Sequence, residues 1–485
     1  MSRPIVRTAG ALVVLASLAS CSSGGPSAAP PGSKAALGSP LPIASATASS
    51  TVTTGLSSAE AASQAASSSV SPTADPSSGP VVAGTPVPLY LVDANTNNTL
   101  GQQFPPGVLE GVKGIIPGGE IPAAFKERLQ SIDPGLQSYS YAAEAYDAVV
   151  LAALGAAVAK SDAGVDVAKQ LVPITHGAQA CTEYASCLAL VKQGMTIDYS
   201  GVSGPIDFSP SGDPTKATLG IYQFDADNQL LPDVTYQQGE IQPDANAVPI
   251  DGVVQKGAGD RVFRIAAFLP STGSLASLGP PELAAVRLAV QDIQSAGGVP
   301  GFDSVALIEG DSGDTSTGVG AKSIKGLLAQ HPDVLIGAAS SSSTMAVLDQ
   351  VTRAGVLMIS PANTLPSLTT VPDHGLYWRT SPSDVLEGAF VGWLVVQDGH
   401  PRVAILARKD AYGQSLEGSV TRAVGSVGGE VVTAIEYDGN ATDFRKQVAA
   451  LKAAKPDAIV LLGADESTQI IAELVRQGIG PNALR

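Results

Sequence analysis

The chain has 485 residues, enough for two or three compact units, and 44% of them are hydrophobic, enough for buried cores. Its formal net charge is −16 at pH 7, with 44 acidic residues against 28 basic ones. This balance argues against a nucleic acid as partner, because the phosphate backbone attracts cationic surfaces.

The first twenty residues have the pattern of a secretory signal. Two arginines precede an apolar stretch at 9–18 that is too short to span a bilayer as a stable helix. The stretch ends in the sequence LASC at Cys21, which resembles the lipobox of bacterial lipoproteins, where the signal is cut before a cysteine that then receives lipid. We therefore expect a signal peptide at 1–20 and a lipid anchor on Cys21, on the extracytoplasmic face of the bacterial cell membrane. An ordinary secretory signal with a chance cysteine is the alternative.

The segment from Cys21 to residue 84 is predicted to be a disordered tether. Ser, Ala, Pro, Gly and Thr dominate it, with hardly a charge or an aromatic residue. Such a composition cannot bury enough apolar surface to offset the entropy of ordering.

From 85 to 243, short apolar runs alternate with helical periodicity. The pattern predicts strands at 89–92 and 112–116, helices at 123–131 and 141–159, and a hairpin-like stretch at 204–208 followed by 219–224. Cys181 and Cys187 also lie here, and because disulfides persist outside the cytoplasm, we expect them to be bridged, at about 2 kcal/mol of stability. A metal or redox pair is the alternative, but no histidine or further cysteine is near.

After a linker at 244–259, the segment 260–485 alternates strands and helices more regularly. Strands are predicted at 262–269, 305–308, 334–336, 356–359, 403–406, 431–435 and 458–462. Helices are predicted at 281–295, 344–353, 415–427, 443–453 and 467–477. This spacing is typical of βαβ units, so we predict an α/β fold with doubly wound parallel sheets.

Two sets of motifs resemble the type 1 periplasmic binding fold, in its leucine/isoleucine/valine-binding family. The second half resembles the family's N-terminal portion, in PSTGS at 270–274, SSSST at 340–344, ISPANT at 359–364, RTSPSD at 379–384, DAYG at 410–413 and ATDF at 441–444. The first half resembles the C-terminal portion, in GIIPG at 114–118, YAAEAYDA at 141–148, IDYSG at 197–201 and GPIDF at 204–208. The resemblance implies two α/β lobes joined by a hinge.

The two halves stand in reversed order relative to that family. Neither half repeats the other, so we expect one circularly permuted domain whose old termini are joined through 244–259. Exposed neighbouring termini make such a change tolerable. A fusion of two truncated binding proteins, or a truncated gene, is the alternative.

Two polar segments, 340–344 and 360–364, follow the predicted strands at 334–336 and 356–359, where we expect a ligand to bind. Ligands of open parallel sheets bind beyond the carboxyl ends of the strands, and a helix N-terminus favours an anion. By the resemblance, Ser341, Ala362 and Thr364 hold an α-carboxylate, Ala362 through its backbone, with Ser340 in the same run. Helix capping by Ser and Thr is the alternative reading, and the two are compatible.

The other ligand contacts are implied by the resemblance alone. Tyr412 matches a tyrosine that closes over the ligand from the second lobe, and a packed loop tyrosine is the alternative. Asp93 is a candidate partner for the ligand's ammonium group. Leu278 stands where the family usually has an aromatic residue, so the resemblance implies an amino-acid-like ligand without fixing a branched-chain one.

Catalysis is not expected. The chain has four histidines without metal-ligand spacing, and it lacks a nucleophile elbow, a Walker A loop and an H-E-x-x-H motif. We predict no enzyme activity, no cofactor and no metal. The expected function is clamshell capture of a small ligand for delivery to an ABC-importer permease. The alternatives are a ligand sensor that presents its bound state to a signalling partner, or a truncated or fused protein that no longer binds.

Overall fold

The structure, a computed structural model, describes residues 86–241, 248–251, 260–315 and 317–481. All of them belong to one of two compact units of the chain, the one spanning Pro40–Arg485. The predicted signal peptide, the lipid anchor on Cys21 and the predicted tether lie outside the described residues.

Fifteen strands are present in the described segments. They are β1 Leu89–Leu91, β2 Lys113–Pro117, β3 Gln179–Cys181, β4 Ile197–Gly201, β5 Gly204–Pro205, β6 Lys216–Gln223, β7 Thr235–Glu240, β8 Val262–Leu269, β9 Ser304–Asp311, β10 Val334–Gly337, β11 Leu357–Ser360, β12 Tyr377–Arg379, β13 Arg402–Arg408, β14 Glu430–Tyr437 and β15 Ala458–Leu462.

Twelve α-helices accompany these strands in the same segments. They are α1 Asn98–Gly101, α2 Ala123–Ile132, α3 Ala142–Ala159, α4 Gly164–Ile174, α5 Tyr184–Lys192, α6 Gly279–Ser295, α7 Val319–Leu328, α8 Ser341–Arg353, α9 Asp384–Gln397, α10 Ala411–Ser426, α11 Arg445–Ala454 and α12 Ser467–Arg476.

The strands form two main sheets, each the centre of a lobe. The first lobe contains the parallel sheet β12-β11-β10-β8-β9, against which α3, α4 and α6 to α8 pack. The second lobe contains the sheet β14-β13-β15-β1-β2-β6-β7, which is parallel as far as β2 and antiparallel beyond it. A small third sheet, β3-β4-β5, accompanies the first lobe's helices. The prediction of an α/β fold with parallel sheets is confirmed.

The apolar runs at 204–208 and 219–224, predicted to form a hairpin-like stretch, are not paired with each other in the structure. The short strand β5 pairs with β4, whereas β6 pairs with β2 and β7. Phe208 is buried in the core of the first lobe, while Leu219 is buried in the second. The two apolar runs therefore belong to different lobes and do not pair with each other.

The first and last described elements lie side by side in the second lobe. Strand β1 pairs in parallel with β15, with Leu89 opposite Ile459. Close by, the Val87 main-chain N–H donates to the Gly480 carbonyl over 3.2 Å. The two ends of the described chain are thus within hydrogen-bonding distance of each other.

Helix α3 is long and apolar enough to cross a bilayer by length and composition alone. However, 89% of its apolar window is buried inside the protein. It packs against α4 and α6, so we treat it as the core helix of the first lobe. The predicted disulfide is confirmed: Cys181 and Cys187 are bonded, with their Cα atoms 5.3 Å apart.

The amino-terminal turns of α3 contact the segments that cross between the lobes. The Glu144 carbonyl accepts a hydrogen bond of 2.9 Å from the Thr380 hydroxyl, and its side chain lies beside Gly118, where a Cβ would stand 2.8 Å from Oε1. Three residues on, the buried Asp147 accepts hydrogen bonds from the main chain and the hydroxyl of Ser203. This end of α3 is therefore part of the hinge.

Candidate functional site

A cleft lies between the two lobes, at the carboxyl ends of strands from both sheets. Its empty space, including the solvent at its mouth, is about 540 Å³. It is lined by Asp93, Ala94, Tyr141, Ser274, Leu275, Leu278, Asp314, Thr315, Ala339, Ser340, Ser341, Ser342, Ala362, Arg408, Asp410, Tyr412 and Ala464. Strand ends of an open parallel sheet are the usual place for a ligand.

On the first-lobe side, the N-terminus of α8 opens into the cleft. Ser340 is the N-cap, and its hydroxyl accepts a hydrogen bond of 3.2 Å from the Ser343 main-chain N–H. Ser341 and Ser342 follow it in the cleft lining, and Ser341 is 4% exposed. Because the first N–H groups of a helix lack intrahelical acceptors, this end of α8 favours an anionic group.

The segment after β11 reaches the cleft at one of its two predicted residues. Ala362 lines the cleft, and its main-chain N–H donates to the Ser360 hydroxyl over 3.3 Å. Thr364 is fully buried outside the lining, and its hydroxyl lies beside the Asp384 carboxyl group. The cleft therefore brings Ser340, Ser341 and Ala362 together but not Thr364.

On the second-lobe side, Asp93 is held between two tyrosines. It follows β1 in a short 3-10 turn and is 3% exposed. The hydroxyl of Tyr141 donates to its Oδ2, and the hydroxyl of Tyr412 donates to its Oδ1. Burial raises the pKa of Asp93, while the two phenol donors lower it by stabilising the ionised carboxylate. Because both oxygens accept hydrogen bonds, we assign Asp93 as the ionised member of the cluster around it.

Two further carboxyl groups of α9 lie behind Asp93. The Asp93 main-chain N–H donates to Glu387 Oε1 over 3.1 Å, and the other oxygen of Glu387 has no hydrogen-bond partner among the described residues. Burial raises the pKa of Glu387 well above its usual range and that of Asp384 to about 7. Glu387 is therefore protonated at neutral pH, since a second buried charge beside Asp93 is costly.

An arginine whose side chain is 12% exposed lies at the end of β13. Arg408 Nε contacts Asp410 Oδ2 over 2.7 Å, and its Nη1 contacts Glu466 Oε2 over 3.1 Å. Asp410 is also the N-cap of α10, where its Oδ1 accepts a 2.9 Å bond from the Gly413 N–H. Tyr437 donates to the other oxygen of Glu466 over 2.8 Å. This group of charges forms a fixed wall of the cleft.

The two lobes touch at the rim of the cleft. Asp465, after β15, accepts a hydrogen bond of 2.8 Å from the Ser277 hydroxyl, and its N–H donates to the Ser274 carbonyl over 3.3 Å. Both serines belong to the loop after β8 of the first lobe. The lobes are therefore in a closed arrangement.

Five of the six residues predicted to contact the ligand line this cleft. Four larger polar side chains of the lining were not predicted as ligand contacts from the sequence: Tyr141, Asp314, Arg408 and Asp410. Tyr141 and Asp410 are the first residues of the YAAEAYDA and DAYG motifs. Each lies immediately before a helix, α3 or α10, and this position could have identified both as candidate site residues.

Comparisons with known proteins agree with this architecture. A family model described as periplasmic binding protein matches residues 262–484. The leucine-, isoleucine-, valine-, threonine- and alanine-binding protein of Pseudomonas aeruginosa is 27% identical over 209 residues, which are 43% of this chain and 55% of that protein. A substrate-binding protein of the chemotactic signal transduction system of Halobacterium salinarum is 27% identical over 220 residues, 44% of this chain and 52% of that protein.

Solved structures give matches of similar extent. The substrate-binding protein of a Streptococcus pneumoniae branched-chain amino acid transporter, in complex with isoleucine, is 24% identical with a TM-score of 0.39 and covers 43% of this chain and 60% of its own. The chain thus spans little more than half the length of the curated relatives named here. The family model that matches residues 262–484 describes binding proteins, which agrees with the prediction that the chain is not an enzyme. Residues 262–484 are thus similar to the periplasmic binding proteins, and curated relatives named for binding leucine, isoleucine and valine are 27 to 29% identical over 43 to 46% of this chain.

Proposed function

We propose that the protein is an extracytoplasmic solute-binding protein that captures an amino-acid-like ligand by closure of its two lobes. The observation that carries this proposal is the pairing of opposite recognition groups across one cleft. The α8 N-terminus at Ser340 and Ser341 suits a carboxylate, and the ionised Asp93 opposite suits an ammonium group. Several curated relatives are named for the amino acids they bind, which supports the same ligand class.

The site assignment is tested by calorimetric titration of the mature protein with a panel of α-amino acids. Asp93→Asn removes the charge that holds the ammonium, and Ser341→Ala removes a donor to the carboxylate. We expect Asp93→Asn to weaken binding about 10- to 100-fold, the usual value of a hydrogen bond to a charged group. The matched control is Ser367→Ala, in a 3-10 turn outside the cleft lining. Unchanged affinity in both site variants would contradict the assignment.

We further propose that the reversed halves form one permuted domain, with 85–243 and 260–485 joined by 244–259. The proximity of Val87 and Gly480 supports this order, because in the family's order the segment ending near Gly480 runs directly into β1. A reordered chain, with residues 248–481 followed by a short Gly-Ser linker and 86–241, should fold and bind the same amino acids. Two independent melting transitions in the original chain, or failure of the reordered chain to fold, would instead favour a fusion of fragments.

The lipid anchor on Cys21, the tether at 21–84 and delivery to an ABC-importer permease complete this proposal. The LASC sequence supports the anchor, and Cys21→Ser should release the protein from the membrane fraction. A sensor role is the second candidate, since the Halobacterium salinarum relative is named for chemotactic signal transduction. Deletion of the gene separates the two roles: loss of ligand uptake indicates transport, and intact uptake with a lost response indicates sensing.

A further inference from the structure

Two carboxyl groups of α9 lie directly behind Asp93, outside the cleft lining. Asp384 and Glu387 are both 0% exposed and belong to the first turn of the helix. The Asp93 main-chain N–H donates to Glu387 Oε1 over 3.1 Å, so these two acids are direct neighbours. Three carboxyl groups are therefore buried together, and of these only Asp93 lines the cleft.

The hydrogen-bond donors around these three acids are distributed unequally. The two oxygens of Asp93 accept the phenol hydroxyls of Tyr141 and Tyr412. By contrast, Glu387 Oε2 and both oxygens of Asp384 have no hydrogen-bond partner within the described residues. Because a buried carboxylate without donors is costly, the negative charge is held on Asp93, and the two acids of α9 retain protons.

The surroundings of the two α9 acids offer little compensation for a second charge. Burial raises the pKa of Glu387 well above its usual range, and the charges of Asp93 and Asp384 raise it further. Burial raises the pKa of Asp384 to about 7, and the charge of Asp93 adds to this rise, whereas Arg379 opposes it. Arg379 is itself paired with Asp213 at 2.6 Å. The groups that act on the two acids come from five neighbouring segments: Asp93 after β1, Tyr141 before α3, Thr364 after β11, Arg379 of β12, and Tyr412 and Ser415 of α10.

We infer that Asp384 and Glu387 couple ligand capture to the release of a proton. The inference rests on the proposed function, in which the ligand's ammonium group contacts Asp93. The positive charge of that ammonium offsets the repulsion that Asp93 exerts on the acids behind it, so ionisation of one of them becomes less costly. One carboxyl O–H bond then breaks, and its proton passes to the solvent. The two acids interact, so this titration belongs to the pair rather than to either residue alone.

Linkage gives the sign and the size of the effect. A proton released on binding makes the association constant rise with pH, about tenfold per pH unit for one full proton and about threefold for half a proton. Because the pKa of Asp384 is raised to about 7, the pair is poised to lose a proton near neutral pH. We expect about half a proton to one proton to be released at pH 7, and affinity to increase from pH 6 to pH 8.

The released proton is counted by calorimetry. The probe is whichever standard L-α-amino acid binds most tightly, leaving out histidine and cysteine, whose own side chains titrate near neutral pH. It is titrated into the mature protein at pH 7 in phosphate and in Tris, two buffers with different ionisation enthalpies. The difference in observed binding enthalpy, divided by the difference in ionisation enthalpy, gives the number of protons released. Titrations at pH 6 and pH 8 give the dependence of affinity on pH.

Amide variants locate the source of the proton. Asp384→Asn combined with Glu387→Gln keeps the size of both side chains and the acceptor for the Asp93 N–H, but it leaves neither acid with a proton to release. We expect this double variant to release less than about 0.1 proton, and its affinity to change by less than about twofold between pH 6 and pH 8. If the double variant does not fold, each single variant should still lower the proton count.

Asp333→Asn is the matched control for these variants. Burial also raises the pKa of Asp333 to about 7, but this residue immediately precedes β10, at the opposite end of that strand from the cleft. The control should release as many protons as the unmodified protein.

The outcomes separate this inference from the proposed function. If an amino acid binds without releasing a proton, or if the α9 variants release as many protons as the unmodified protein, the coupling is refuted while amino-acid capture stands. If Asp333→Asn abolishes the release, the proton does not come from α9 and the coupling is again refuted. If none of the amino acids binds, both are overturned.

Discussion

The hinge contains a buried glutamate whose ionisation should make the protein's stability depend on pH. Glu144 is 3% exposed, and burial raises its pKa from 4.5 to about 8, with the buried Asp147 adding to the effect. Glu282 of α6 faces it, and burial together with the charge of Glu144 raises its pKa well above the usual range. Tyr222 of β6 and Tyr141 also sense the charge of Glu144, which contributes to raising the pKa of both phenols.

The direction and size of the effect follow from linkage. An acid with a raised pKa in the folded state contributes stability below its unfolded pKa, near 4.5, and loses it as the pH rises towards 8. Each pH unit between these limits removes about 1.4 kcal/mol, so at pH 7 the loss from Glu144 is about 3 kcal/mol. Glu144→Gln mimics the protonated acid at every pH and should abolish this loss.

The assay is urea denaturation followed by circular dichroism at pH 5, 6, 7 and 8. We expect Glu144→Gln to match the unmodified protein within about 1 kcal/mol at pH 5 and to be about 3 to 5 kcal/mol more stable at pH 8. Glu127→Gln, on the exposed face of α2, is the matched control and should not alter the pH profile. If the free-energy difference between Glu144→Gln and the unmodified protein were the same at all four pH values, the reasoning would be refuted.

Three other substitutions test separate parts of the structure. Asp465→Ala removes the interlobe hydrogen bond that the Ser277 hydroxyl donates to the Asp465 carboxylate, so it should weaken ligand binding about 3- to 10-fold through the closed state, with the ligand-free melting temperature unchanged; an unchanged affinity would show that this contact does not contribute to closure. Replacing Cys181 and Cys187 by alanine opens a short loop and should lower the free energy of unfolding by about 2 kcal/mol relative to the oxidised protein. Equal stability of the two proteins would indicate that the disulfide does not stabilise the fold. Arg379→Met leaves Asp213 without its buried partner at 2.6 Å and should destabilise by about 3 to 5 kcal/mol, which Asp213→Asn in the same chain should partly restore; the absence of such rescue would argue that Arg379 acts through its other contacts.

The regular alternation in the second half allowed its strands to be predicted closely. The strand predicted at 262–269 is β8, and that predicted at 458–462 is β15. Helix α8 begins at Ser341, three residues before its predicted start. The serines there resemble a loop by propensity, but the Ser340 cap and burial against the sheet make them helical.

The sequence pattern could not predict that buried carboxyl groups lie behind the site. Asp384 and Glu387 occupy the first turn of α9, where acidic residues are common for electrostatic reasons alone. Only the fold brings them next to Asp93, nearly three hundred positions away in the chain. The role of Asp93 came from family resemblance, because no local pattern marks an aspartate that two tyrosines hold.

The pairing of β1 with β15 has a consequence for how the chain reaches its folded state. The central strands of the second lobe are the first and the last that the described chain supplies, residue 89 opposite residue 459. During synthesis, β1 pairs with β2 on one side but must wait with its other edge unpaired until almost all of the described chain has emerged. Contacts so distant along the chain slow folding, because their closure entropy is lost before the pairing stabilises the sheet. We therefore expect the proposed permutation to affect the folding rate and the demand for chaperones more than it affects the folded architecture.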